Sequence, residues 1–158
     1  SILDAGCGSG KGALALRERG FKVTLCDLTL AGLIPEVTDL PAREACLWEP
    51  LKPQLPHTWM FSGGYDYVYC TDVLEHIPTP FAMLVVKNLL DVTHKGRVFL
   101  SIALQEDNFG VWAGRPLHLT VQNFVTWRTL LSEIGGQEKV IGSVIVGHDG
   151  LLIANTMP

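Results

Sequence analysis

The chain has 158 residues, 47% of them apolar and 18% charged, with a formal net charge of −4. That length suits one domain with a real core, and the composition excludes a disordered chain. No apolar run approaches the roughly 18 residues that span a bilayer. No signal pattern of basic, apolar and small residues opens the sequence, and no Lys/Arg block offers the basic stripe that duplex nucleic acid requires. The expected setting is cytoplasmic. Cys7, Cys26, Cys46 and Cys70 contain no C-x-x-C pair, which predicts reduced thiols rather than a disulfide framework.

Ser1 to Asp4 is a short apolar run that enters Ala5-Gly6-Cys7-Gly8-Ser9-Gly10. A helical stretch follows and closes at Gly20, a residue suited to the left-handed position after a helix. Phe21 to Cys26 alternates apolar with polar and reads as a second strand. A short, weakly patterned helix is expected between Leu28 and Pro41, and a third strand over Arg43 to Trp48. Residues 49–64, rich in proline and glycine, read as the longest loop, and Tyr65 to Cys70 as the fourth strand.

Thr79-Pro80 predicts an N-cap with proline at the first helical position, opening a helix to about Val92. Arg97 to Ile102 reads as the fifth strand, and residues 103–119 as a loop. Thr120 is the expected cap of an amphipathic helix carrying Phe124, Leu131 and Ile134 on one side. Val140 to Val146 and Leu151 to Asn155, joined by Gly147-His148-Asp149-Gly150, carry a hairpin signal. The chain-order pattern predicts one α/β domain over residues 1–158. Its sheet would be mostly parallel, with helices on both faces and a C-terminal antiparallel hairpin.

Asp4-Ala5-Gly6-Cys7-Gly8-Ser9-Gly10 is the sharpest motif. Its alternate glycines let backbone approach a ligand closely, and the following helix points its first amides at that ligand. Gly8-x-Gly10-x-x-Ala13 also satisfies a dinucleotide pattern. Asp4, two residues before the first glycine, suits a ligand bearing an ammonium group better than a pyrophosphate. Asp27 falls at the end of the second strand, where an acid can accept both ribose hydroxyls of any adenosine-containing cofactor.

The run from Tyr65 through Asp72-Val73-Leu74-Glu75-His76-Ile77 narrows the choice. With it the chain resembles the class I S-adenosylmethionine-dependent methyltransferases, a Rossmann-like family. Its members typically carry a D-x-G-x-G-x-G loop, an acid after strand two and often a D-V-L-E-H-I segment after strand four. The resemblance implies S-adenosylmethionine as cofactor. Asp4, Gly6, Cys7, Gly8 and Gly10 would hold its methionine part and Asp27 its ribose, with Leu28 packed on the adenine. Thr71 and Asp72 would lie beside the amino group and sulfonium. Cys46 stands where the family often has an adenine-binding aspartate, which leaves that contact to backbone near Leu47 and to Glu49.

The family also commonly has helices ahead of the first strand that cover the pocket. Here either the domain is a minimal version or the expected cover comes from a partner chain, a second copy, the 49–64 loop or, by preference, the 103–119 loop. That loop would act as a lid through Phe109, Trp112, Arg115 and His118, mobile without ligand and ordered with it. His76 and His118 are the candidate catalytic bases, whereas His57, His94 and His148 read as surface residues. Phe109, Trp112 and Trp127 are candidates for an acceptor pocket or for core. No metal is expected, because no spacing sets His, Asp or Glu ligands on one helix face. A metal shared by the four thiols is a minor idea. The reaction implied is direct methyl transfer to a small-molecule acceptor. Its competitors are a non-catalytic or donor-degrading S-adenosylmethionine-binding protein and an NAD-dependent oxidoreductase.

Overall fold

The computed structural model describes residues 1–55, 64–94, 97–107, 109–135, 140–144 and 150–155. Five strands run parallel in the order β3-β2-β1-β4-β5: β1 (Ile2–Ala5), β2 (Val23–Asp27), β3 (Ala42–Glu44), β4 (Tyr67–Thr71) and β5 (Arg97–Ile102). All four residues of β1 are buried, as a central parallel strand covered on both faces requires. From β1 the chain winds outward through β2 and β3, then crosses back to place β4 on the other side. That reversal opens a crevice beyond the carboxyl ends of β1 and β4, where open α/β sheets bind ligands. Beyond β5 lie β7 (Gly150–Asn155) and then β6 (Val140–Val144), both antiparallel to their neighbours. Residues 145–149, which include most of the expected hairpin turn, lie outside the described residues.

Helices cover both faces. α1 (Lys11–Glu18) seats Ala13 in a cluster with Val23, Leu25 and Val37. α2 (Thr79–Asp91) buries Ala82, Val85, Val86 and Leu89, the i, i+3, i+4, i+7 stripe of an amphipathic helix. With Trp127 and Leu131 of α4 (Phe124–Gly135) it covers Val68, Cys70, Val98 and Leu100 on the larger side of the core. No described helix is long and apolar enough to cross a membrane.

Several boundaries differ from the sequence reading for local reasons. α2 takes Pro78 as its cap residue, and Thr79 is already helical. The Thr79 hydroxyl bonds instead to the Thr120 hydroxyl and the Leu119 carbonyl. Thr120 starts no helix either: its hydroxyl donates to the Ile77 carbonyl at 2.6 Å. Asn123 caps α4, its Oδ1 accepting the Thr126 amide at 2.9 Å. The third strand ends at Glu44, because the Cys46 amide and carbonyl are both taken by the Gln54 side chain. The helix expected between Leu28 and Pro41 reduces to a 3₁₀ turn at Pro35–Val37. The 103–119 loop contains a one-turn helix, α3 (Gly110–Ala113).

Candidate functional site: a donor cavity and a histidine corner

The glycine loop is held at its base by backbone. The Gly6 and Cys7 amides both donate to the Cys26 carbonyl, at 2.8 and 3.1 Å. Gly6 has φ +77°, and a Cβ there would stand 2.3 Å from Val73 Cγ2, so only glycine lets β1 pack against the segment after β4. Gly8, at φ +52°, is different: a Cβ there would meet no protein atom within 4 Å. That glycine faces open space, as a backbone cradle for a ligand does.

Asp27 ties the loop to β2. Its Oδ2 accepts the Gly8 amide at 2.8 Å and its Oδ1 the Leu28 amide at 2.7 Å. Each oxygen keeps further acceptor capacity. The cavity beside it has a volume of about 300 Å³ and is walled by Gly6, Gly8, Asp27, Leu28, Leu47, Trp48, Asp72, Val73, His76 and Ile77. A few polar groups among apolar walls is the usual make-up of a small-molecule site.

Asp4 lies near the end of β1, only 3% exposed. The Ala13 amide donates to its carboxylate, while Oδ2 is buried without a hydrogen-bond partner. Burial first, and then the charge of Asp27, push its carboxyl up to about 7. A buried oxygen left unpaired is costly, so this one calls for a donor or a cation. Asp72, at φ +55°, is a non-glycine residue in the left-handed region, a strain that concentrates at functional sites.

The structure thus gathers Gly6, Gly8, Asp27, Leu28, Leu47 and Asp72 into one wall. Asp4, Cys7, Gly10, Thr71 and Cys46 are not part of it. A Cβ on Gly10 would strike Val37 at 2.6 Å, so this glycine serves packing at the start of α1. The Cys7 thiol is pushed up to about 12, by burial and then by Asp4 and Asp27, and burial also raises Cys26 and Cys70. Such thiols stay protonated in the folded chain. Trp48, Val73 and Ile77 line the cavity without having been given a role from the sequence, Val73 and Ile77 having entered only as members of the D-V-L-E-H-I segment. Trp48 stacks on Phe81 with ring centroids 5.9 Å apart. Its place next to Leu47 was the available signal, masked by assigning residues 45–48 to a strand.

His76 and His118 meet at the neighbouring corner, their ring centroids 4.9 Å apart and nearly perpendicular. His76 Nδ1 lies 3.0 Å from the Leu117 carbonyl, and His118 Nδ1 2.6 Å from the Gln105 carbonyl. A carbonyl only accepts, so both Nδ1 atoms carry the proton and both Nε2 lone pairs are free of it in the neutral rings. Glu75, wholly buried, accepts the Ala103 amide on Oε1 at 3.1 Å, whereas its Oε2 is buried without a partner. Asp107 accepts the amides of Gly110, Leu117 and His118. The expected lid is thereby fastened from within. Phe109 and Trp112 are exposed on it, Trp112 by 90%, but Trp127 belongs to the core. A second cavity of about 470 Å³ opens there, lined by Glu106, Asp107, Gly110, Gly114, Arg115, Pro116, His118 and Val121. Among the other histidines, His94 is an exposed partner of Asp66 and the Gly64 carbonyl. His57 and His148 lie outside the described residues.

A Rossmann-like sheet with a glycine cradle and an acid after β2 defines a nucleoside-binding α/β domain. Residues 1–136 match the family described as "Methyltransferase domain", and the chain belongs to that family. It is 34% identical over 92 residues to the ubiquinone biosynthesis O-methyltransferase of Histophilus somni, an alignment covering 52% of this chain and 37% of that protein. The chain spans less than half the length of such curated relatives. The fold is similar to magnesium protoporphyrin IX methyltransferase from Synechocystis, solved with S-adenosylhomocysteine. The TM-score is 0.67 and the identity 22%, over 98% of this chain and 72% of that one. It is also similar to the PH0226 protein of Pyrococcus horikoshii, with TM-score 0.71 and 12% identity, over 98% and 80%.

Proposed function

We propose that this domain transfers a methyl group from S-adenosylmethionine to an oxygen of a small-molecule acceptor, in the cytoplasm. The observation that carries the reading is the open cradle at Gly8, with the Asp27 carboxylate beside it and the unpartnered Asp4 oxygen buried below. Those features fit the donor: a backbone that can be approached closely, an acceptor for ribose hydroxyls, and a carboxylate for an ammonium group. The oxygen acceptor is supported by the naming of the relatives as O-methyltransferases. Family membership counts against the nicotinamide reading of the same glycines.

When bound, S-adenosylmethionine supplies a methyl carbon on a sulfonium, and the C–S bonding pair stays on sulfur. The chain's own work is alignment and exclusion of water. Asp4, with Thr71 and Asp72, orients the methionine part, and Cys7 and Gly10 shape the loop that contacts it. Asp27 holds the ribose. Leu28, Leu47 and Trp48 clamp the adenine, with Cys46 behind them supporting that segment through Gln54. His118 or His76, with its bare Nε2, takes the acceptor's proton.

Titration calorimetry with S-adenosylmethionine, S-adenosylhomocysteine and NAD tests the donor, followed by a screen of hydroxylated acceptors. The reading expects binding of the first two and formation of a methyl ether. Binding without turnover of any acceptor would favour a donor-binding protein, and binding of NAD alone would overturn the assignment.

A further inference from the structure

The histidine corner carries more than a general base. Glu75, His76 and His118 each offer a ligand atom, and those atoms lie within 4.8 Å of one another. Ligand atoms about 2.1 Å from a shared ion stand about 3.4 Å apart in tetrahedral geometry, so closing on one needs at most about 1.4 Å of movement. The three residues come from two segments some forty positions apart in the chain. This is why spacing on a single helix could not reveal them.

Two features separate this corner from a chance grouping. The first is the state of the imidazoles. Both rings donate Nδ1–H to a backbone carbonyl, Leu117 for His76 and Gln105 for His118. That is the outer-shell arrangement that fixes a metal-binding histidine and presents Nε2 to the ion. The second is Glu75. Its side chain is fully buried, one oxygen is spent on the Ala103 amide, and the other has no hydrogen-bond partner. Burying an unpaired carboxylate oxygen costs free energy that a cation would recover.

We infer that Glu75, His76 and His118 form a binding site for one divalent first-row transition ion, set between the donor cavity and the second cavity. Two imidazoles and one carboxylate favour Zn²⁺, Co²⁺ or Mn²⁺ over the oxygen-seeking Mg²⁺ and Ca²⁺. Three protein ligands leave coordination positions open. His76 walls the donor cavity and His118 the second cavity, so the open positions face the junction of the two. The ligand class that fits there is an acceptor with a hydroxyl or adjacent hydroxyls. With the ion bound, the two Nε2 atoms are ligands and no longer proton acceptors, so coordination takes over the task given above to a histidine base. It lowers the pKa of a bound hydroxyl, the proton leaves to solvent, and the oxygen pair then forms the bond to the methyl carbon. This role for the ion rests on the methyltransferase reading, whereas the binding of the ion does not.

The test uses Co²⁺ and Zn²⁺ on the chelator-stripped chain, with S-adenosylhomocysteine calorimetry on the same preparation. One Co²⁺ per chain should bind, with a visible d–d absorption that Zn²⁺ displaces. His118→Ala should weaken Co²⁺ by at least about 100-fold, the upper end of what loss of even an outer-shell partner costs. Glu75→Gln keeps an acceptor for the Ala103 amide and should also weaken the ion, with circular dichroism reporting the fold. Absence of the Co²⁺ spectrum, or equal Co²⁺ affinity in folded Glu75→Gln and His118→Ala, overturns the metal site. Failure to bind S-adenosylhomocysteine while Co²⁺ still binds would overturn the methyltransferase reading and leave the metal site standing.

Discussion

The glycine loop and the histidine corner sit at the same edge of one sheet, but they are held by different means. In the loop, backbone bonds to backbone at Gly6, Cys7 and Cys26, and among the described residues the side chain that intervenes is Asp27, at the end of the adjacent strand. In the corner, side chains bond to distant backbone: His76 to Leu117, Glu75 to Ala103, Asp107 to three amides of its own loop. On the proposed reading, the first arrangement places a rigid scaffold against a constant ligand. The second places replaceable side chains where an acceptor would differ from one protein to the next, in keeping with function residing in sites on a shared fold.

The largest expected effect breaks the loop and spares the corner. Gly8→Val puts a side chain into space that no protein atom occupies, at a cost of about 1–2 kcal/mol for the left-handed backbone. The variant should fold and lose S-adenosylhomocysteine altogether, which calorimetry and a melting curve would show together. Gly6→Ala should do the reverse, unsettling the fold itself, because its Cβ collides with Val73. If Gly8→Val binds normally, the cradle is misassigned.

Next in size is the corner. His118→Ala should slow methyl transfer by about 10²–10⁴-fold, the range for a positioned proton acceptor, and leave donor affinity within about twofold. Parallel loss of rate and donor affinity would mean that the two regions are one cooperative unit, and the contrast would dissolve. Asp27→Ala should act on the opposite side, weakening S-adenosylhomocysteine by about 1.5–3 kcal/mol, as for hydrogen bonds to a charged group. Unchanged affinity in a folded variant would remove Asp27 from the site.

The same contrast explains what could be read from the sequence. The residues proposed to hold the donor come in contiguous runs at strand ends, so Asp4 to Gly10, Asp27 and Asp72 were visible as motifs, and the parallel strands followed from their apolar runs. Leu47 lines the donor cavity and Cys46 does not, its backbone being bonded to a Gln54 side chain eight residues away. Thr79 and Thr120 looked like helix caps because threonine near a helix usually is one. Here their hydroxyls bond to each other across some forty residues, a pairing that no local rule contains. His76 and His118 were legible as single candidates, but their encounter with Glu75 depends on the path of the 103–119 loop, which Asp107 sets.

The smallest effect on donor binding, about tenfold, is the one that most directly probes the buried half of the donor site. Asp4 holds its proton up to about pH 7 in the folded chain, because burial and the nearby Asp27 disfavour its charge. The folded state therefore binds more protons than the unfolded state between the ordinary aspartate range and pH 7. By linkage, stability falls as pH rises through that window and levels off above it, at a cost of at most about 4 kcal/mol. Asp4→Asn should abolish that decline and melt higher than the parent at pH 7.5. Donor binding should run the other way, since an ammonium group favours the ionised carboxylate: affinity for S-adenosylhomocysteine should rise about tenfold from pH 6 to pH 7.5. In Asp4→Asn the profile should be flat and the affinity uniformly low. A pH-dependent profile that survives Asp4→Asn would place the titrating group elsewhere, and the unpaired oxygen beneath the glycine loop would then be a feature of packing, not of recognition.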